Sequence, residues 1–363
     1  MKSNLILLDR TCPGVSSPVL HGGTAQRERP AAYDELRRLL IHGRLLDKQP
    51  AYYACKILTN LCFLGIGVFL ITTFHAGWLD ALIACYLAFV STQIGFIVHD
   101  AGHQQISRTR WKNNLICLMH ANLLLGFSYS WWINTHNQHH NNPNQCGSDP
   151  DIDFVLLAFS EEQALAKHGL PKFLVKYQAY TFFPLLFLEV FSLKFESLKF
   201  LLRQRAKHPV AEATCLALHY FLYFFLLFHF LGTKQTILFA VAHNALFGLY
   251  LGMIFVTNHK GMPLLNEDVK MDFLYRQVLT ARNLRAHWLT DYCFGGLSCQ
   301  IEHHLFPGIP LNKLRKAQNI VRSYCESRNI DYYETGLLQC YKEVLQYLHR
   351  VGAPLRGKGS TVG

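Results

Sequence analysis

Charge is scarce in this chain. Only 16% of its 363 residues are Asp, Glu, Lys or Arg, against about 25% in ordinary soluble domains. Half are hydrophobic and 13% aromatic. Length alone would allow two soluble domains, and this composition excludes them. Any C-x-x-C pair is also missing. The 11 cysteines are scattered, and Cys55, Cys62, Cys85 and Cys215 lie in apolar runs. That excludes a disulfide frame or a zinc ribbon, and the thiols read as reduced filler. No cleavable leader is expected, because the apolar stretch of residues 1–8 is too short and no h-region follows.

Long apolar runs are what the chain has instead. Four, at about 53–74, 78–98, 211–231 and 235–257, approach the length needed to cross a bilayer core. The first 50 residues carry eight Lys or Arg, whereas the turn His75-Ala76-Gly77 carries none. By the positive-inside rule the tail is cytoplasmic and that turn faces outward. The net charge of +11 follows in part from this asymmetry. It also suits anionic head groups, acyl-carrier phosphates or an acidic redox partner, and no nucleic-acid partner is expected.

Two weaker apolar runs, 114–132 and 177–190, are interrupted by polar residues or proline. Both must cross or both must stay on one side, and staying is simpler. The expected fold is therefore an all-α integral membrane protein with four spans in two hairpins. Interfacial or half-inserted helices and a cytoplasmic helical cap complete it. A tight turn is expected at Gly232-Thr233-Lys234. Residues 31–48 read as an amphipathic helix in the basic tail (1–50). It either lies on the membrane or packs on the protein, with Tyr33, Leu36, Leu39 and Leu40 near one face. Residues 351–363 read as a flexible tail.

Histidine is concentrated in three places. His136-Asn-Gln-His139-His140 sets three imidazoles on one helical face. His99-Asp-Ala-Gly-His103 is an i, i+4 pair, and Gln300-Ile-Glu-His303-His304 repeats the doublet. His259 follows the last span as an eighth candidate. Neutral imidazole is the commonest metal ligand, and eight are too many for one metal and suit two. Zinc, copper and iron remain open on this ground. Carboxylates near such a site accept the second ring N–H of a ligand. Asp100, Glu302 and the run Asp149-Pro-Asp151-Ile-Asp153 are the candidates. His243 lies 16 residues before His259, about 24 Å along a helix, and is left out with His219, His229, His120 and His287.

On these motifs the chain resembles the membrane-bound fatty acid desaturases, over roughly residues 50–340. His99–His103 resembles the first histidine box and His136–His140 the second. The stretch Phe294-Gly-Gly-Leu-Ser-Cys-Gln300-Ile-Glu-His-His-Leu-Phe-Pro307 resembles the third. Glutamine at its head marks the front-end branch, which includes delta-5, delta-6 and sphingolipid delta-8 types. Asn258-His259-Lys-Gly-Met262 is similar to linoleoyl-CoA-type members.

The resemblance implies a desaturase domain over 51–350 that uses two iron ions, O2 and external electrons to place a cis double bond in an acyl chain. The substrate would be an acyl-CoA or a phospholipid. The implied ligands are His99, His103, His136, His139, His140, His259, His303 and His304, with Gln300 beside them. Asp100, Glu302 and Asp151 are supporting carboxylates. Some relatives place an asparagine one turn before the position of His259; here Phe255 stands there.

His21-Gly22-Gly23 lacks the proline of a cytochrome b5 haem motif, and about 50 residues cannot hold that domain. A separate donor is therefore expected: cytochrome b5, a ferredoxin or a reductase. Trp131, Trp132 and Phe294 either line an acyl tunnel or fill the core. A hydroxylase or acetylenase on the same scaffold, a metal transporter and a non-catalytic metal-binding membrane protein are the alternatives.

Overall fold

A computed structural model of the protein describes residues 25–74, 77–203, 206–285 and 287–357, with side chains from Ala32 onward. The expected tail before residue 25, His21-Gly22-Gly23, the turn at His75-Ala76 and residues 358–363 lie outside the described residues.

Helices dominate. α1 (Ala25–His42) leads to α2 (Pro50–Thr73) and α3 (Gly77–Gly102). α4 (Arg110–Leu118) passes through a π-helical stretch, Met119–Leu125, before α5 (Tyr129–Asn141). The short helices α6 (Glu161–Leu165), α7 (Gly169–Lys176), α8 (Gln178–Leu186) and α9 (Glu189–Leu202) precede the long α10 (Pro209–His259). The last third holds α11 (Phe273–Leu279), α12 (Trp288–Cys293), α13 (Gln300–Leu305), α14 (Leu314–Ser327) and α15 (Leu337–Val351). Two-residue strands, β1 (Asn283–Leu284) and β2 (Glu334–Thr335), pair in parallel.

Among the described residues, α2, α3 and α10 are long and apolar enough to cross a membrane. α2 buries a narrow seam. Tyr53, Asn60 and Gly67 recur every seven residues along it, while Leu58 and Phe69 stay exposed. Gly67 lets α3 come close, since a Cβ there would sit 2.3 Å from Leu87 Cδ2. α3 is enclosed along most of its second half, and its C-terminal end carries His99.

α10 has 51 residues, so as a straight rod it would run about 76 Å. It is not straight. Gly232 has φ 73° and ψ 172°, a conformation open essentially to glycine alone. Tyr223 and His243 meet through the tyrosine hydroxyl and Nδ1 at 3.0 Å. Leu227 and Phe239 share one apolar cluster. Residues equidistant from Thr233 thus come together, and the two limbs fold back on each other at the turn expected from Gly232-Thr233-Lys234.

The two weaker apolar runs are more broken than the sequence suggested. Residues 114–132 divide among α4, the π-helical stretch and α5. The stretch ends at Gly126, where φ is +79°. Side chains tie this run to α3 and α10: Cys117 Sγ of α4 donates to the Val98 carbonyl at 3.4 Å, and His219 Nδ1 donates to the Leu123 carbonyl of the π-helical stretch at 2.9 Å. Residues 177–190 form α8 and the start of α9, broken at Phe187 and Leu188 after Pro184. α8 lies close on α10, where a Cβ on Gly248 would meet the Leu186 carbonyl at 2.8 Å.

α1 packs on the protein, which settles its two readings. Leu36 and Leu40 are fully buried in one cluster with Ala317 and Val321 of α14. Tyr33 stacks on Phe306 with ring centroids 5.1 Å apart. Leu39, assigned to the same face, is instead exposed, because Leu36 and Leu40 fill the seam one turn apart. The first part of the segment expected as a tail, residues 351–356, is instead packed on the protein. Val351 is buried, and Arg356 donates to the Lys176 carbonyl at 2.7 Å.

Candidate metal centre

Four chain segments bring the eight histidines together. α3 delivers His99 at its end, and the chain turns at Gly102 to place His103. A side chain at Gly102 would collide with Trp132, whose ring lies 2.3 Å from the Cβ position. Trp132 in turn stacks on His136, with centroids 4.5 Å apart. α5 starts at Ser128, whose hydroxyl accepts from Trp131 N, and ends with His139 and His140. His259 closes α10, and α13 carries His303 and His304.

The imidazoles sort into two groups. In the first, nitrogens of His99, His103, His136 and His303 lie within 4.8 Å of one another. His140 joins them, with Nε2 at 3.1 Å from both His136 Nε2 and His303 Nε2. His139, His259 and His304 make the second group. Helix geometry does this sorting. Successive residues point about 100° apart, so His303 turns to one group and its neighbour His304 to the other. α5 divides His136 and His140 from His139 in the same way. His140 and His304 stack between the groups at a centroid distance of 4.1 Å.

The donor set fits metal ions. His99 Nδ1 faces Asp100 Oδ1 at 3.1 Å, and His139 Nδ1 faces Asp149 Oδ1 at 3.0 Å. His259 Nδ1 faces the Thr280 carbonyl and His304 Nδ1 faces Gln277 Oε1, each at 2.9 Å. Each acceptor takes the ring proton on that side and leaves Nε2 with a bare lone pair. Yet His139 Nε2 and His259 Nε2 are 3.3 Å apart, and His259 Nε2 and His304 Nε2 3.0 Å. Three lone pairs facing one another repel unless a cation lies among them. Two nitrogens each about 2.1 Å from one ion and at right angles stand about 3.0 Å apart. The contacts His99–His303 at 3.0 Å and His103–His136 at 2.8 Å have that size.

For five of the rings electrostatics favour the same neutral state. Burial, then repulsion from neighbouring imidazoles, holds His103, His136, His140, His303 and His304 well below the ordinary histidine range, so their rings are neutral. His139 differs. Burial pulls it down, but Asp151 and Asp149 together outweigh burial and hold it above that range.

The supporting residues are partly those expected. Asp100 is buried beside His99, and Gln300 Nε2 lies 3.0 Å from His259 Nε2. The chief carboxylate at His139 is Asp149, which also accepts from Asn144 N at 2.7 Å. Asp151 Oδ2 stands farther from that ring, at 3.5 Å, and its side chain is 47% exposed. Glu302 does not face a ligand. It is fully buried and accepts from Asn283 Nδ2 and the Tyr332 hydroxyl, each at 2.7 Å, so it ties α13 to β1. Helical rotation explains this, since residue 302 points away from residue 303. Phe294 is buried with Phe96 and Leu284 as core, and Phe255 is exposed. Sequence reading missed Gln277 and Thr280, which lie in no histidine motif.

Fold and site define a helical protein with membrane-length helices and a histidine-built metal centre. Comparison makes this specific: the fatty acid desaturase family matches over residues 76–336, and the chain belongs to that family. It is 30% identical over 329 residues to the Acyl-lipid (9-3)-desaturase of Physcomitrium patens, covering 88% of this chain and 62% of that protein. The Delta(8)-fatty-acid desaturase of Euglena gracilis is 31% identical over 85% of this chain and 75% of its own length. A Delta(6)-fatty-acid desaturase of Caenorhabditis elegans is 26% identical over 92% and 78%. The chain thus spans under two thirds of the first of these relatives and about three quarters of the other two. Relatives named for delta-5, delta-6 and delta-8 positions agree with the front-end glutamine at residue 300. Family and donor set together support iron as the metal.

Proposed function

We propose that this protein is an oxygen-dependent, front-end fatty acid desaturase, acting on the acyl chain of an acyl-CoA or a phospholipid. The sorting of eight imidazoles into two adjoining groups carries the proposal. Two iron ions there would supply, from O2 and two external electrons, an oxidant able to take hydrogen from an unactivated methylene.

The protein's own part is binding, orientation and shielding. His99, His103, His136, His140 and His303 would hold one ion. His139, His259 and His304 would hold the other, with Gln300 alongside. Asp100, Asp149, the Thr280 carbonyl and Gln277 fix each ring and the nitrogen it presents. Burial of α13, whose Gln300–Leu305 are all enclosed, keeps bulk water from the reacting carbons. A separate carrier, cytochrome b5, a ferredoxin or a reductase, brings the electrons.

The proposed topology has four spans. α2 and α3 make one hairpin and the limbs of α10 the other, with the ends bearing His99 and His259 on the cytoplasmic side. α4, α5, α8 and α9 lie at or partly within the interface, and α11–α15 form the cap. The basic first 50 residues support this orientation. Tags at residues 77 and 233 are expected to be labelled from outside only; labelling of either from the cytoplasm refutes the topology.

Expression in a host of simple lipid profile, with new double bonds located by mass spectrometry, tests the activity. The expected product is an acyl chain with an added cis double bond near its carboxyl end. A His139→Ala protein of normal abundance should make none; full desaturation by it defeats the assignment. Hydroxylated chains instead would move the protein to the hydroxylase alternative.

A further inference from the structure

We infer that Lys56 of α2 is a positioning residue for the first histidine group, acting through Asp100 on His99. The inference rests on the two-iron reading above. Lys56 is the only charged residue in α2, an otherwise uncharged apolar helix that supplies no histidine. An ionisable side chain in such a helix calls for a partner and a role. Its ammonium lies 3.6 Å from Asp100 Oδ2, and the two side chains are 14% and 2% exposed. Neither atom has a hydrogen-bond partner among the described residues. The carboxylate is therefore shared, Oδ1 to His99 Nδ1 at 3.1 Å and Oδ2 to Lys56. On the far side of the ring, His99 Nε2 faces His303 Nε2 at 3.0 Å.

The chain Lys56–Asp100–His99 thus ends inside the metal group. A carboxylate this buried needs a countercharge, and Lys56 is the cation beside it. The aromatic neighbour cannot replace it. Tyr53 donates to Gln105 Oε1 at 2.6 Å and accepts from Leu311 N at 3.1 Å. Those bonds clamp the first box to the loop after the third, and the hydroxyl is committed to them. Without Lys56, Asp100 loses what holds its second oxygen, and His99 loses its fixed orientation. The second group, with Asp149 and Gln277 as its own supports, has no contact with this chain of residues.

The test is Fe2+ binding by the full-length purified protein, measured by chelator competition and by iron per chain. Lys56→Met is expected to weaken one of two sites by about 10-fold, the low end of the range for loss of a direct partner of a ligating histidine, which here is Asp100. The other site should be unchanged. Lys56→Arg should restore most of the loss, and Lys56→Met with Asp100→Asn should be no worse than Asp100→Asn alone. Should Lys56→Met not be recovered folded, Lys56→Gln carries the same expectation. Two wild-type sites in a folded Lys56→Met or Lys56→Gln protein overturn the inference and leave the desaturase reading standing. Equal weakening of both sites also overturns it, as a general structural effect. A wild-type protein that binds no iron overturns both.

Discussion

On the proposed two-iron reading, a His304→Ala protein is expected to carry one iron instead of two and to make no new double bond. The second histidine group has only three imidazoles, His139, His259 and His304, so losing one takes a third of its ring donors. Gln300 compensates poorly, because an amide ligates through its oxygen, a weaker ligand than imidazole. The loss should exceed the roughly 10- to 100-fold that follows removal of an outer partner. The first group keeps its five rings and its ion. The defect should therefore read as halved iron per chain with desaturation at background. Metal analysis beside product analysis checks it. Two irons, or wild-type product, in the variant would remove His304 from the site.

Glu212→Ala is expected to destabilise the protein by on the order of 3 kcal/mol, through the buried neutral donors that lose their charged acceptor. Glu212, at the start of α10, is fully buried. Its carboxylate accepts from Ser128 Oγ at 2.5 Å, from the Ser130 hydroxyl, from Ser130 N at 3.3 Å and from Asn122 Nδ2 at 3.4 Å. Alanine leaves those donors enclosed without an acceptor, at about 1–3 kcal/mol for each one left unsatisfied. The same residues fix the start of α5, which bears His136, His139 and His140. The variant should therefore melt early in detergent and lose iron in parallel. Glu212→Gln should fall between, since one of its two oxygens becomes a donor. Wild-type melting of the alanine protein would mean that Ser128 and Ser130 find other acceptors.

The histidine motifs were legible because ligation constrains residue type and local spacing together. Their partition was not. One helical face holds His136, His139 and His140, and only the approach of α10 and α13 turns His139 to a different group. Adjacency misled at Glu302, which neighbours two of the histidines in sequence but points to Asn283 and Tyr332. It misled again in the acidic run, where Asp149 lies closer to His139 than Asp151 does. α1 could not be assigned beforehand, since one apolar stripe serves a lipid surface or a protein neighbour equally well. Lys56 was hidden for a different reason. A lone lysine in an apolar run declares nothing until Asp100 is seen beside it.

The spread of these residues along the chain has a consequence for biogenesis. The first two motifs leave the ribosome with five of the eight histidines, more than a hundred residues before His259 and more than a hundred and sixty before His303 and His304. α1 emerges earlier still and must wait for α14, its packing partner. Neither cradle can close until the nascent polypeptide is nearly finished, so iron loading falls after membrane insertion and couples to the last step of maturation.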